Sequence, residues 1–204
     1  MVDISKFRQK FLEDKVEKSI LERNFLLAKE NLVDLEEKEL RAKEARTYIQ
    51  EVAKSTQKNV EIHFSSLVTM ALKSINKDFP EFVTTFEIKR NHLNCILMFK
   101  DSISGELYEP MEDSGFGAVD VGAFGTKISV WSIDKKSYVM IMDEPFRNVS
   151  PDLQGKVSQL LKYLSQELGL QFIIVSHAEN VNYSADRTFK FSKANGITEM
   201  EVFH

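Results

Sequence analysis

The sequence predicts an α/β domain with a parallel strand pair, preceded by a long coiled-coil helix. Two observations carry this prediction. Residues 1–79 contain neither Gly nor Pro, so nothing there punctuates a helix. Two apolar runs, 138–142 and 172–175, flank a segment that opens with Ser150-Pro151-Asp152 and closes at Gly169. A strand, a helix and a strand of these lengths imply a parallel βαβ unit with a right-handed crossover.

The elements follow in order. Up to about Gln57 the chain is rich in Glu, Lys, Leu and Arg, and a 3-4 spacing runs through Phe25, Ala28, Leu32, Leu35, Ala42, Ile49 and Ala53. Glu39 and Arg46 interrupt this seam, which is that of a coiled coil. So long and polar a helix needs a partner helix. Its charges balance, 12 Lys/Arg against 12 Asp/Glu over residues 1–57, as expected of a solvated coil surface rather than a DNA-binding arm. From Ile62 to about Asn76 a shorter, more apolar helix is expected, ended by Pro80. Residues 82–88 and 93–99 alternate as strands, and Arg90-Asn91-His92 supplies the turn of a β-hairpin. A second turn at 102–106 contains Gly105 and leads into a short strand at Leu107 and Tyr108.

Residues 114–125 hold four of the eight glycines, and an apolar helical segment follows through Ile128, Val130, Trp131 and Ile133. The strand at 138–143 then delivers Asp143 and Glu144 at its C-terminal end. Ser150 as N-cap and Pro151 at the first helical position start a helix carrying Leu153, Val157, Leu160, Leu161 and Leu164. The strand at 171–176 ends near His177. A brief helix or turn through Asn180 and Ala185 and two strands, at 187–191 and 197–203, complete the chain.

Composition bounds the function. A chain of 204 residues suits one domain plus an extension, and 43% hydrophobic residues can supply a core. A net charge of −4 and a pI near 5.7 argue against a generally basic nucleic-acid binder. The single cysteine, Cys95, excludes an internal disulfide and any cysteine-built zinc cluster. Its place in an alternating run predicts a core position. No signal peptide and no apolar run of membrane-spanning length is present, so a cytoplasmic location without membrane association is expected.

The chemistry concentrates at two strand ends. Open α/β sheets bind ligands at the carboxyl edge of their strands, where Asp143, Glu144 and His177 fall. Each has a plainer reading: the carboxylates as turn or capping groups, His177 as an ordinary edge residue, and the glycines as a flexible turn before a helix. His63, His92 and His204 lack such context and are assigned no role.

Taken together, residues 58–204 resemble the C-terminal lobe of SMC/SbcC/RecF-type ABC ATPase heads, with the SbcC-like recombination ATPases of phages as the nearest pattern. The order of pieces carries the resemblance: coiled coil, β-hairpin, the signature-like Ser114-Gly115-Phe116-Gly117, the Walker-B-like Met142-Asp143-Glu144-Pro145, a D-loop at 145–150 and His177. The resemblance implies a coiled-coil helix at 1–57 and an ABC lobe at 58–204. It implies Asp143 as the Mg²⁺ carboxylate, Glu144 as the catalytic carboxylate that orients water, and His177 as the γ-phosphate switch. Ser114, Gly115 and Gly117 become an ATP-binding anion site at a helix N-terminus.

Three departures qualify it. Phe116 stands where the family has a second glycine, Ser150 where it commonly has Asp, and no G-x-x-x-x-G-K-[ST] P-loop occurs. Gly117 and Gly122 have the glycine spacing, but Ala123 and Phe124 follow. The phosphate-binding N-terminal lobe is therefore expected on a separate Walker A-containing protein or a homologous ATPase, with ATP and Mg²⁺ held only in the assembly and DNA engaged through it. Two other readings stay open. One is a non-catalytic coiled-coil protein that regulates a complete ATPase of this kind. The other is a metal-dependent nuclease built on Asp143 and Glu144, for which two adjacent carboxylates are thin support.

Overall fold

The computed structural model describes residues 4–90, 92–112, 114–194 and 197–203, with only the backbone of Glu179 and Ala194. Asn91 of the expected hairpin turn and His204 lie outside these residues. The chain divides into two compact units, one ending at Thr56 and one beginning at Gln57.

The first unit is helix throughout its described length. It belongs to α1 (Ile4–Ile75), an unbroken helix of 72 residues. A separate helix beginning near Ile62 is therefore not found. The linking residues, Gln57 to Glu61, include no helix breaker, and continuing a helix costs less than nucleating a second one. The seam residues of the first unit, including Phe25, Leu32, Leu35 and Ile49, are all exposed. The polar surface carries i,i+4 pairs with the acid N-terminal to the base: Asp34–Lys38 at 2.7 Å, Glu37–Arg41 at 3.0 Å and Glu39–Lys43 at 2.6 Å. Each contributes about 0.3–0.5 kcal/mol.

In the second unit, the end of α1 buries Val68, Leu72 and Ile75. Strand β1 (Glu81–Lys89) pairs antiparallel with β2 (His92–Lys100), with Ile88 opposite Leu93. The short β3 (Leu107–Tyr108) adds to β2. The outer edge of β1 is closed by side chains of α1. The backbone N–H groups of Phe82, Thr84 and Phe86 donate to Thr69 Oγ1, Ser65 Oγ and Glu61 Oε1 at 2.9, 3.0 and 2.9 Å. Four residues of helix rise about 6.0 Å and two of strand about 6.6 Å. Every fourth helical residue thus meets every second strand amide, and the exposed edge is blunted.

Cys95 is exposed, against the expectation of a core position. It pairs with Phe86, further along the hairpin than the buried pair Phe82 and Phe99. The alternation continues there, but the core does not.

Helix α2 (Phe116–Ile133) begins at the glycine-rich segment rather than after it. Close approach accounts for two of its glycines. A Cβ on Gly122 would stand 3.2 Å from the Phe99 ring, and one on Gly125 would stand 3.2 Å from Val68 Cα. Strand β4 (Val139–Asp143), α3 (Pro151–Leu168) and β5 (Gln171–Val175) form the expected parallel unit, Asp143 pairing with Val175. Gly169 ends α3 in the left-handed conformation that glycine favours. A short 3-10 turn (Glu179–Asn182) leads to the antiparallel β6 (Thr188–Ala194) and β7 (Ile197–Phe203).

The core joins these elements through Phe124, whose ring meets Phe146 at 5.2 Å and Phe172 at 6.0 Å. Met140, Met142, Phe172 and Ile174 turn one face of the parallel pair toward that core. On the other face Val139, Ile141, Ile173 and Val175 are 43%, 73%, 45% and 59% exposed. Parallel sheets are ordinarily covered on both faces, so this one is half-covered. Among the described residues no helix is long and apolar enough to cross a membrane.

Candidate active site at the carboxyl end of the parallel strands

Asp143 and Glu144 leave β4 where His177 leaves β5, and the in-register pairing of the strands brings them to one edge. Asp143 is the last residue of β4 and is exposed. Glu144 follows in a left-handed backbone conformation, φ 45°, which costs a non-glycine residue on the order of 1–3 kcal/mol. The turn is held by its own amide, which donates to the Val175 carbonyl at 2.9 Å.

The Glu144 carboxylate is engaged on both oxygens. Oε1 accepts the backbone N–H of His177 at 2.8 Å, and Oε2 accepts the Ser176 hydroxyl at 3.3 Å. Ser176 Oγ in turn accepts the Ala178 amide at 3.1 Å. The His177 ring is fully exposed, its Nε2 3.8 Å from Glu144 Oε1. The structure therefore brings Glu144 and His177 together and leaves Asp143 beside them at the strand end.

Ser114 and Gly115 stand elsewhere in the unit, at the start of α2. Gly115 is its N-cap, without a side-chain capping bond, and a Cβ there would meet nothing within 4 Å. The Ser114 hydroxyl makes a long contact, 3.4 Å, to the Gly115 carbonyl. Phe116 presents an exposed ring at the first helical residue. Gly117 faces inward, and a Cβ on it would stand 3.1 Å from the Asn148 carbonyl oxygen. Ser150 occupies the N-cap of α3 but makes no side-chain capping bond.

Sequence reasoning did not single out Ser176, Asp120 or Asn148. Asp120 on α2 accepts the Asn148 backbone N–H on Oδ2 at 2.7 Å and the Asn148 amide group on Oδ1 at 3.3 Å. Ser176 was detectable as the neighbour of His177. Asp120 and Asn148 stand 28 positions apart, which leaves no local signal of their contact.

The donor set bears on what the edge can hold. Among the described residues no group of three or more His, Cys, Asp or Glu is arranged to hold a metal. A single exposed carboxylate fits Mg²⁺, which keeps most of its waters and takes one or two carboxylates. It does not fit a dedicated protein cage. Nor do the described residues include a P-loop that could cradle a triphosphate.

No family model and no curated protein matches the sequence. Solved structures do match. An Smc head domain with coiled coil and joint from Pyrococcus yayanosii is similar at TM-score 0.68 and 15% identity, over 90% of this chain and 35% of that one. An Smc head with an extended coiled coil, bound to the C-terminal domain of ScpA, from Pyrococcus furiosus is similar at TM-score 0.54 and 17% identity, over 98% and 53%. A chain from work on ATP-driven dimerization and DNA-stimulated activation of SMC ATPases is similar at TM-score 0.53 and 15% identity, over 72% and 89%. The chain thus spans about a third to about half of the two Pyrococcus heads. Its fold is that of SMC ATPase head domains carrying a coiled coil.

Proposed function

We propose that this chain is the C-terminal half of a SMC/SbcC/RecF-like ATPase head. It works in DNA repair, recombination or replication and is completed by a second polypeptide. The carrying observation is the junction of Glu144 with the His177 loop at the carboxyl edge of a parallel pair. In this reading residues 58–204 form the lobe and residues 1–57 the coiled-coil arm. Asp143 would hold Mg²⁺ through water, Glu144 would orient the attacking water, and His177 would meet the γ-phosphate. ATP, when bound, supplies the phosphoryl group. Its main anchor would come from a P-loop on the partner, and Ser114 and Gly115 would meet nucleotide at the N-terminus of α2, with Gly117 supporting that turn from behind.

Two exposed surfaces support the need for a partner. The uncovered face of the parallel pair, Val139, Ile141, Ile173 and Val175, is apolar, and a covering lobe would remove it from water. The seam of the first unit is likewise exposed and would pair with a partner helix. Similarity to a head that binds ScpA agrees with a chain working in a protein assembly.

A second reading has an observation in its favour. The exposed Phe116 at the start of α2 puts bulk where close phosphate approach needs glycine. That suits a non-catalytic protein that binds and regulates a complete ATPase. One experiment separates the two. The chain is co-purified with proteins encoded beside its gene, and ATP hydrolysis is measured with and without DNA. Activity that appears only in the complex and disappears with Glu144→Gln supports the split ATPase. A stable complex whose activity Glu144→Gln leaves unchanged supports the regulator.

A further inference from the structure

We infer that Asp120 is a positioning residue, which ties the helix behind Ser114 and Gly115 to the loop that carries Glu144. The inference rests on the reading of Glu144 as the water-orienting carboxylate. The loop 144–150 leaves β4 through the left-handed Glu144, a conformation that must be held from outside. Helix α2 holds it at two points. Phe146 is buried against Phe124, ring centroids 5.2 Å apart. Asn148 is gripped by Asp120 through both its backbone and its side-chain N–H groups.

Gly117 makes that grip possible, because a side chain there would push against the Asn148 carbonyl. The opposite end of the loop is the Glu144 carboxylate, bonded to the His177 amide. Asp120 and His177 thus act on the two ends of one short loop without touching each other. A ligand that displaces the first turns of α2 would be felt at Glu144 through Asn148. A carboxylate suits this task, since each of its oxygens accepts one of the two Asn148 donors.

The test is amide hydrogen exchange on the full chain by NMR, comparing wild type with Asp120→Ala, Asp120→Asn and the exposed-face control Lys127→Ala. The expected result is faster exchange at both Asn148 and His177 in Asp120→Ala, by roughly 5-fold at His177, within the range for coupled networks. Asp120→Asn retains one acceptor, so its effect is smaller and in the same direction. It carries the comparison if the alanine variant does not fold. Amides inside β4 and β5 and all sites in Lys127→Ala stay as in wild type. Faster exchange at Asn148 alone overturns the inference, because the grip would then stop at the loop's far end. A uniform rise across β4 and β5 also overturns it, since it reports general instability. The readout uses no nucleotide and no partner. Failure here therefore differs from failure of the ATPase reading, which would show as an unaffected Glu144→Gln complex.

Discussion

The backbone N–H of His177, not its ring, holds the Glu144 carboxylate: the amide donates at 2.8 Å while the imidazole stands fully exposed. The hydrogen bond that holds Glu144 therefore survives truncation of the residue 177 side chain to alanine. The imidazole faces solvent, its Nε2 3.8 Å from Glu144 Oε1.

A separation of stability from activity follows at residue 177. His177→Ala removes an exposed ring and no buried contact, so unfolding stability should change by less than about 0.5 kcal/mol. On the proposed split-ATPase reading, the same variant in the reconstituted complex should lose most ATP hydrolysis, with assembly intact. Urea melts and a turnover assay on one preparation check both halves. A large stability loss would instead show that the ring has an unrecognised structural role.

At Glu144 the usual order of alanine and glycine should reverse. Both substitutions remove the carboxylate and its bonds to Ser176 and His177, so those losses cancel in the comparison. Alanine must still adopt φ 45°, which glycine accepts without steric cost, its greater unfolded-state entropy offsetting only part of that gain. Glu144→Gly should therefore be more stable than Glu144→Ala by about 1 kcal/mol, measured from urea midpoints at equal slopes.

Two helical glycines should respond in opposite directions. A Cβ on Gly125 would press on Val68 Cα and Ala71 Cβ at 3.2 and 3.4 Å, and a backbone atom cannot step aside as a flexible side chain can. Gly125→Ala should cost about 1–3 kcal/mol through overpacking. Gly155 lies inside α3 with open space where its Cβ would be. Gly155→Ala should therefore stabilise by about 0.5–1 kcal/mol. Thermal melts of the two single variants give the comparison, and equal signs would refute the assigned packing.

The contrast also marks where the sequence was legible. The β4–α3–β5 unit could be read because its signals are local: two apolar runs, a Ser-Pro start and a terminal glycine. The approach of Glu144 to His177 then followed from parallel pairing. The glycines of α2 misled because glycine weakens a helix in isolation, whereas here Gly122 and Gly125 are required by Phe99 and Val68 across the core. Cys95 misled because alternation reports which face a residue takes, not whether anything packs on that face. Asp120–Asn148 and the three-rung edge of β1 join positions 13 to 28 apart, and neither periodicity nor turn chemistry links a helix side chain to a strand or loop amide.

That edge supplies a pH-dependent prediction. The Phe86 amide bonded to Glu61 holds its carboxyl below the ordinary glutamate value of 4.5, with Lys58 adding to the effect. A carboxyl whose pKa falls on folding releases its proton more readily in the native state. Its contribution to stability is complete above the unfolded value and is lost as pH falls through the lower folded one. Glu61→Gln keeps an oxygen near Phe86 but cannot ionise, so it lacks this dependence. The other carboxylates, including Asp101 with its own lowered pKa from the Ser104 and Ile103 amides, are common to both proteins and cancel in the difference. The stability gap between wild type and Glu61→Gln should be flat at neutral pH, shrink as pH drops below 4.5, and close in stronger acid. Urea titrations at stepped pH measure the gap directly. A gap of constant size through that window would mean that the ionised carboxylate does not hold the Phe86 amide.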